Sequence, residues 1–140
     1  MALNKEYLDI GHDIIGAAFD VNKYAGKGLR EKYYQYALAY ELREKGYDVK
    51  LEVEVPALYR GIRIENSYYA DLVVDDRVII EVKAVPIMTK AECSQLYSYL
   101  RLSDFRLGYL INFGAKDFST GRTDEGMPLR HGIYRYVNNI

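Results

Sequence analysis

The chain has one cysteine, Cys93, no tryptophan, and only three prolines in 140 residues. One thiol permits no intrachain disulfide, so a disulfide-built secreted scaffold is excluded. Cys93, His12 and His131 are scattered and match no zinc-ligand spacing, which excludes a zinc ribbon. Pro56, Pro86 and Pro128 stand singly, so no proline-rich linker divides the chain. The apolar runs fall far short of the ~20 residues that span a bilayer. The first residues, Met-Ala-Leu-Asn-Lys-Glu, hold no apolar signal core, and a cytoplasmic protein is the expectation. Net charge is also scant: 19 Lys and Arg against 20 Asp and Glu give −1. Coating nucleic acid through bulk positive charge is therefore excluded. An enzyme with an acidic, cation-holding cleft is not.

What is present is the balance of a folded chain, 49% hydrophobic and 28% charged. One domain over residues 1–140 is the expectation, large enough to bury ~70% of its unfolded surface without staples. The 15 tyrosines read mostly as half-buried packing residues with the hydroxyl in water.

Periodicity predicts a helix from Lys5 to Tyr24, with Leu3, Tyr7, Ile10, Ile14, Ala17, Val21 and Tyr24 at helical spacing. Asn4 can cap it and Gly26 can end it. A second helix is predicted from Arg30 to Lys45, stopped by Gly46. Alternation then predicts strands over 49–59, 62–74 and 78–85, with Arg60-Gly61 and Asp75-Asp76-Arg77 as turns. A third helix is predicted over 90–102, where Thr89 and Glu92 have capping-box spacing. Residues 106–113 and 133–137 read as further strands, and 116–130 as a loop. The order α-α-β-β-β-α-β-β is a mixed α/β domain with a meander before a crossover helix.

The stretch Val78-Ile79-Ile80-Glu81-Val82-Lys83-Ala84-Val85 has the apolar continuity of a central strand. Glu81 and Lys83 are two apart in it and share a face. Burying a charge is costly, so both need partners or a ligand. Asp71 is the lone acid of the preceding apolar stretch, Tyr68 to Val74. If Val74 pairs with Val78 across a three-residue loop, Asp71 falls opposite Glu81. Their Cβ atoms are then ~5 Å apart, within reach of one shared cation. A two-residue loop instead puts Asp71 opposite Ile80 and separates the acids.

An acid on one strand followed by Glu-x-Lys on the next resembles the active-site pattern of the PD-(D/E)xK nuclease superfamily. Gly28-Leu29-Arg30-Glu31-Lys32-Tyr33-Tyr34 reads G-x-x-E-x-x-Y, the signature of the GxxExxY protein family. Gln95-Leu96-Tyr97-Ser98-Tyr99 reads Q-x-x-x-Y, similar to the motif after the catalytic strand of exonuclease-type members. Ala39 to Arg43, Ala70-Asp71-Leu72, Glu81 to Ala84 and Leu107 to Phe113 resemble the GxxExxY family in the same order. The nominal proline before the acid is replaced by Ala70.

The resemblance implies a restriction-endonuclease-like mixed sheet flanked by helices. It implies a nuclease that hydrolyses phosphodiesters with Mg²⁺ or Mn²⁺, on DNA in preference to RNA. Asp71 and Glu81 would hold the metal, with the Val82 carbonyl as a third ligand and Glu31 reaching in from its helix. Lys83 would be the catalytic lysine. Gln95 and Tyr99, four apart on one helical face, would contact the scissile phosphate or orient the other groups. Each residue also has a plainer reading: Glu31 in a first helical turn favours the macrodipole, and Gln95 and Tyr99 fit an amphipathic helix. The absence of a separate recognition module calls for a homodimer, a partner protein or low sequence specificity. The alternative is a catalytically inactive nuclease-fold module that binds nucleic acid or a protein. No phosphate-binding glycine loop, nucleophile elbow or dinucleotide fingerprint is present to support other chemistry.

Overall fold

A computed structural model describes residues 3–138; residues 1–2 and 139–140, the ends of the expected 1–140 domain, lie outside the described residues. Two helices come first, α1 (Lys5–Ala25) and α2 (Glu31–Glu44). Asn4 caps α1 by accepting from the Tyr7 amide at 3.2 Å, and Gly26 ends it at φ +72°. Five strands follow: β1 (Val49–Glu54), β2 (Ala57–Tyr59), β3 (Ile62–Ile64), β4 (Tyr69–Val74) and β5 (Val78–Lys83). Then come α3 (Lys90–Arg101), β6 (Leu107–Asn112), β7 (Asp117–Thr120) and β8 (His131–Val137).

Six strands form one mixed sheet in the order β1-β4-β5-β6-β8-β7. β5 is interior: it pairs antiparallel with β4 and parallel with β6, with α3 as the crossover between them. Its apolar run fits that position, because Val78, Ile79, Ile80 and Val82 are all buried. Each such side chain contributes ~1.5–3 kcal/mol relative to leaving it in water. Val78, Ile80 and Val82 pack with α1 and α2, whereas Ile79 packs with Leu96 and Leu100 of α3. Helices thus cover both faces, and the expected mixed sheet flanked by helices is the observed architecture.

Four expectations differ in detail. The strand expected over 49–59 breaks at Pro56, which has no N–H to continue a ladder. Ala57–Tyr59 instead turns at Arg60-Gly61 and pairs with Ile62–Ile64 as a separate hairpin. The strand expected over 62–74 is correspondingly divided between β3 and β4. The loop expected over 116–130 contains β7, an edge strand parallel to β8. The order is therefore α-α-β-β-β-β-β-α-β-β-β, with the meander β1-β4-β5 carrying an inserted hairpin. The capping box on α3 is not made: Thr89 caps without a side-chain bond, and Glu92 Oε2 is buried without a partner. No helix among the described residues is long and apolar enough to cross a membrane.

Candidate active site

The β4–β5 hairpin closes through Asp75, Asp76 and Arg77, with the Arg77 amide donating to the Val74 carbonyl at 2.9 Å. Asp75 and Asp76 lie at φ +51° and +52°, a region that Asp tolerates better than most residues. Three residues separate the paired Val74 and Val78, and Leu72 pairs with Ile80. The next step of this register sets Asp71 across from Glu81. This is the loop length that brings the two acids together.

At that step side chains replace the backbone ladder. Asp71 Oδ2 accepts from the Val82 amide at 2.8 Å, and Glu81 Oε1 accepts from the Asp71 amide at 3.3 Å. Glu81 Oε1 also accepts from the Tyr68 hydroxyl. The other oxygens, Asp71 Oδ1 and Glu81 Oε2, take no hydrogen bond from the described residues. Each carboxylate is therefore anchored by one oxygen and presents the other.

Both acids are hard to ionise together. Burial pushes the Glu81 carboxyl up to about 7, the Asp71 charge pushes the same way, and the Tyr68 hydroxyl, the Asp71 amide and Lys83 oppose them. Burial also raises Asp71, opposed by the Val82 amide and Lys83 and reinforced by Glu31 and Glu52. A pair of buried, mutually repelling carboxylates with two open oxygens fits a hard divalent cation. Lys83 is half-buried, and its ammonium makes no salt bridge or hydrogen bond among the described residues.

Glu31, the first residue of α2, is exposed and near enough for its charge to act on Asp71. Among the described residues, no three His, Cys, Asp or Glu side chains converge on one ion position, so Asp71 and Glu81 form the pair and Glu31 stands off. Val82 meets Asp71 through its amide. Gln95 is exposed on α3. Tyr99 is half-buried, its ring stacked on Tyr68 with centroids 4.7 Å apart and planes 8° apart.

The Gly28-x-x-Glu31-x-x-Tyr34 segment has a structural logic. Gly28 sits at φ +91°, where a side chain is strained. Tyr34 is fully buried, stacks on Phe113 at 4.6 Å, and donates its hydroxyl proton to the Gly26 carbonyl at 2.7 Å. The same oxygen accepts from the Leu29 amide at 3.3 Å. Tyr34 thus ties down the loop that launches Glu31.

Three neighbours escaped the sequence reading. Tyr68 is buried and bonds Glu81; its only signal was a place three residues before Asp71. Gln35 is buried on α2 and donates to the Asp71 carbonyl at 2.8 Å. Its spacing of four from Glu31 marks the shared face and was available. Glu52 lies on β1 opposite Asp71, between the Leu51–Leu72 and Val53–Ala70 rungs, at φ +53°, and pairs with Lys32. No sequence pattern signals that backbone. A concavity of about 400 Å³ lies elsewhere, between α1 and the β6–β8 region, lined in part by Tyr7, His12, Tyr109 and Arg135.

A family model described as the PD-(D/E)XK nuclease superfamily matches residues 8–123. The chain belongs to that superfamily. The match spans α1 from residue 8 on, all of α2, the hairpin bearing Asp71 and Glu81, and α3, and it stops before β8. No curated protein and no solved structure matches the chain. Membership supplies the coarse reading, a nuclease whose substrate is nucleic acid and whose relatives typically use divalent metals.

Proposed function

We propose that this member of the superfamily is a GxxExxY-type, Mg²⁺- or Mn²⁺-dependent nuclease that hydrolyses DNA phosphodiesters in preference to RNA. The supporting observation is the Asp71–Glu81 pair, each with one anchored and one open oxygen, beside the unpaired ammonium of Lys83. Asp71 and Glu81 would hold the cation, through the oxygens that the protein's own hydrogen bonds leave free. A bound divalent cation supplies Lewis acidity at the phosphate and makes water a competent nucleophile near neutral pH. Lys83 orients the attacking water or offsets charge that builds on the phosphate oxygens. The water oxygen forms the new bond to phosphorus as the ester P–O bond breaks; the attacking water gives up one proton to solvent and the departing oxygen takes one from solvent. Glu31, carried on the first turn of α2, accepts a hydrogen bond from water at the rim. Gln95, exposed on α3, donates to the scissile phosphate.

The test is stabilisation of the full chain by Mg²⁺ or Mn²⁺ alongside release of nucleotides from labelled DNA and RNA. The proposal expects both cations to raise the melting temperature by mass action and DNA to be cut faster. Cation stabilisation that Glu81→Gln leaves undiminished would place the ion elsewhere and overturn it.

A further inference from the structure

We propose that Tyr68 is a positioning residue that selects which Glu81 oxygen faces a divalent cation, and that Tyr99 acts on the site through Tyr68. The inference rests on the reading of Asp71 and Glu81 as the cation-holding pair. The terminal torsion of a glutamate side chain is broad and leaves the carboxylate free to turn. Here it is not free. Glu81 Oε1 takes both the Tyr68 hydroxyl and the Asp71 amide, so Oε2 is the oxygen left open. The amide contact, at 3.3 Å, is long for an N–H···O bond and holds the carboxylate weakly. The tyrosine hydroxyl therefore sets the carboxylate plane.

Tyr68 can do this because it is held at three points. Its carbonyl accepts from the Val55 amide at 2.9 Å. Its hydroxyl is spent on Glu81. Its ring lies against Tyr99, 8° from parallel. Tyr99 in turn is carried by α3, whose Cys93, Leu96 and Leu100 are buried against the sheet. The line from α3 to the site runs through a ring face, which needs no hydroxyl on Tyr99. Partners that orient a metal-holding side chain typically contribute ~10–100-fold to metal affinity.

Calorimetric titration of Mn²⁺ into the chelator-treated full chain reads this without any activity assay. Metal-free melting is measured first, to separate folding from affinity. Tyr68→Phe keeps the ring stack and removes the hydroxyl; it is expected to weaken Mn²⁺ binding about tenfold or more. Tyr99→Phe keeps the stack and is expected to bind as wild type. Tyr99→Leu removes the stack and is expected to weaken binding. Wild-type affinity in Tyr68→Phe overturns the proposal. So does equal weakening in Tyr99→Phe and Tyr99→Leu, which would make the Tyr99 hydroxyl a direct contact. If Tyr68→Phe fails to fold, the two Tyr99 variants decide. Glu81→Gln distinguishes the two levels: if it binds Mn²⁺ like wild type, the cation-pair reading itself fails. If it loses Mn²⁺ while Tyr68→Phe does not, only the positioning role fails.

Discussion

The Gln35 side-chain amide donates to the Asp71 backbone carbonyl at 2.8 Å, fastening α2 to β4 at the residue whose carboxylate faces Glu81. One helical turn before Gln35 on the same face stands Glu31. The bond therefore fixes two things: the backbone of an acid in the sheet, and the reach of an acid on the helix. A buried glutamine in the apolar stripe of α2 is otherwise costly, and this bond offsets its desolvation.

Gln35→Leu should destabilise the chain by ~1–3 kcal/mol, because the Asp71 carbonyl loses its side-chain donor. Gln95→Ala should change stability by less than ~0.5 kcal/mol, because Gln95 is exposed. Urea unfolding midpoints at constant m compare the two. Equal effects would mean that the Gln35 bond carries no net stability.

The metal-free chain should grow less stable as pH rises toward 8. Glu81 ionises near 4.5 ordinarily and at about 7 when folded. Between those values the folded chain binds more protons than the unfolded chain. The contribution is fully present below about 4.5 and is lost as pH rises through about 7, amounting to about 3 kcal/mol at most. Asp71 is shifted in the same direction. Melting in chelator at pH 5.5 and 8, wild type against Glu81→Gln, checks this. The variant should show the shallower decline, and parallel curves would count against a buried, shifted Glu81.

How far the sequence carries can be read from particular residues. The Asp71–Glu81 juxtaposition was legible because a hairpin register is local: one loop length decides it. The break at Pro56 was overrun by an alternation that continues on both sides of it. β7 has no readable pattern because Asp117–Thr120 is polar apart from Phe118 and exposed or half-exposed, held by pairing with His131 and Ile133 rather than by an alternation of its own. The expected Thr89–Glu92 box had the right spacing, yet Glu92 has an oxygen buried instead. Tyr68 and Glu52 reach the site through tertiary placement and a left-handed backbone, and neither has a period to read.

Gly114→Ala should be among the costly glycine substitutions. An added Cβ would meet Val85 backbone atoms at 2.5–2.7 Å, and backbone cannot swing aside as a side chain can. The approach is enforced by Asn112, which donates to the Val85 carbonyl at 2.9 Å and accepts from the Val85 and Gly114 amides at 3.0 Å. A loss of ~1–3 kcal/mol is expected. Gly16→Ala, inside α1 with nothing within 4 Å of the new methyl, should instead gain up to ~1 kcal/mol. Thermal melts of the two variants should move in opposite directions.

Lys83→Ala should separate cation binding from cleavage. The Lys83 ammonium makes no salt bridge or hydrogen bond among the described residues and is not an oxygen ligand, so its loss removes no ligand. It also removes a positive charge that favours ionised Asp71 and Glu81, so cation binding should change only a few-fold. Cleavage should fall by ~10²–10⁴-fold, the span of a positioned acid–base or charge-stabilising group. Asp71→Asn should lose both, since it takes away a charged oxygen and upsets the bond to the Val82 amide. The measurement pairs Mn²⁺ calorimetry with nucleotide release from labelled DNA on the same preparations. Cleavage retained in Lys83→Ala would mean that the observed activity comes from a contaminant or from another site. No cleavage by wild type on any substrate, with cation binding intact, would favour the inactive binding-module reading.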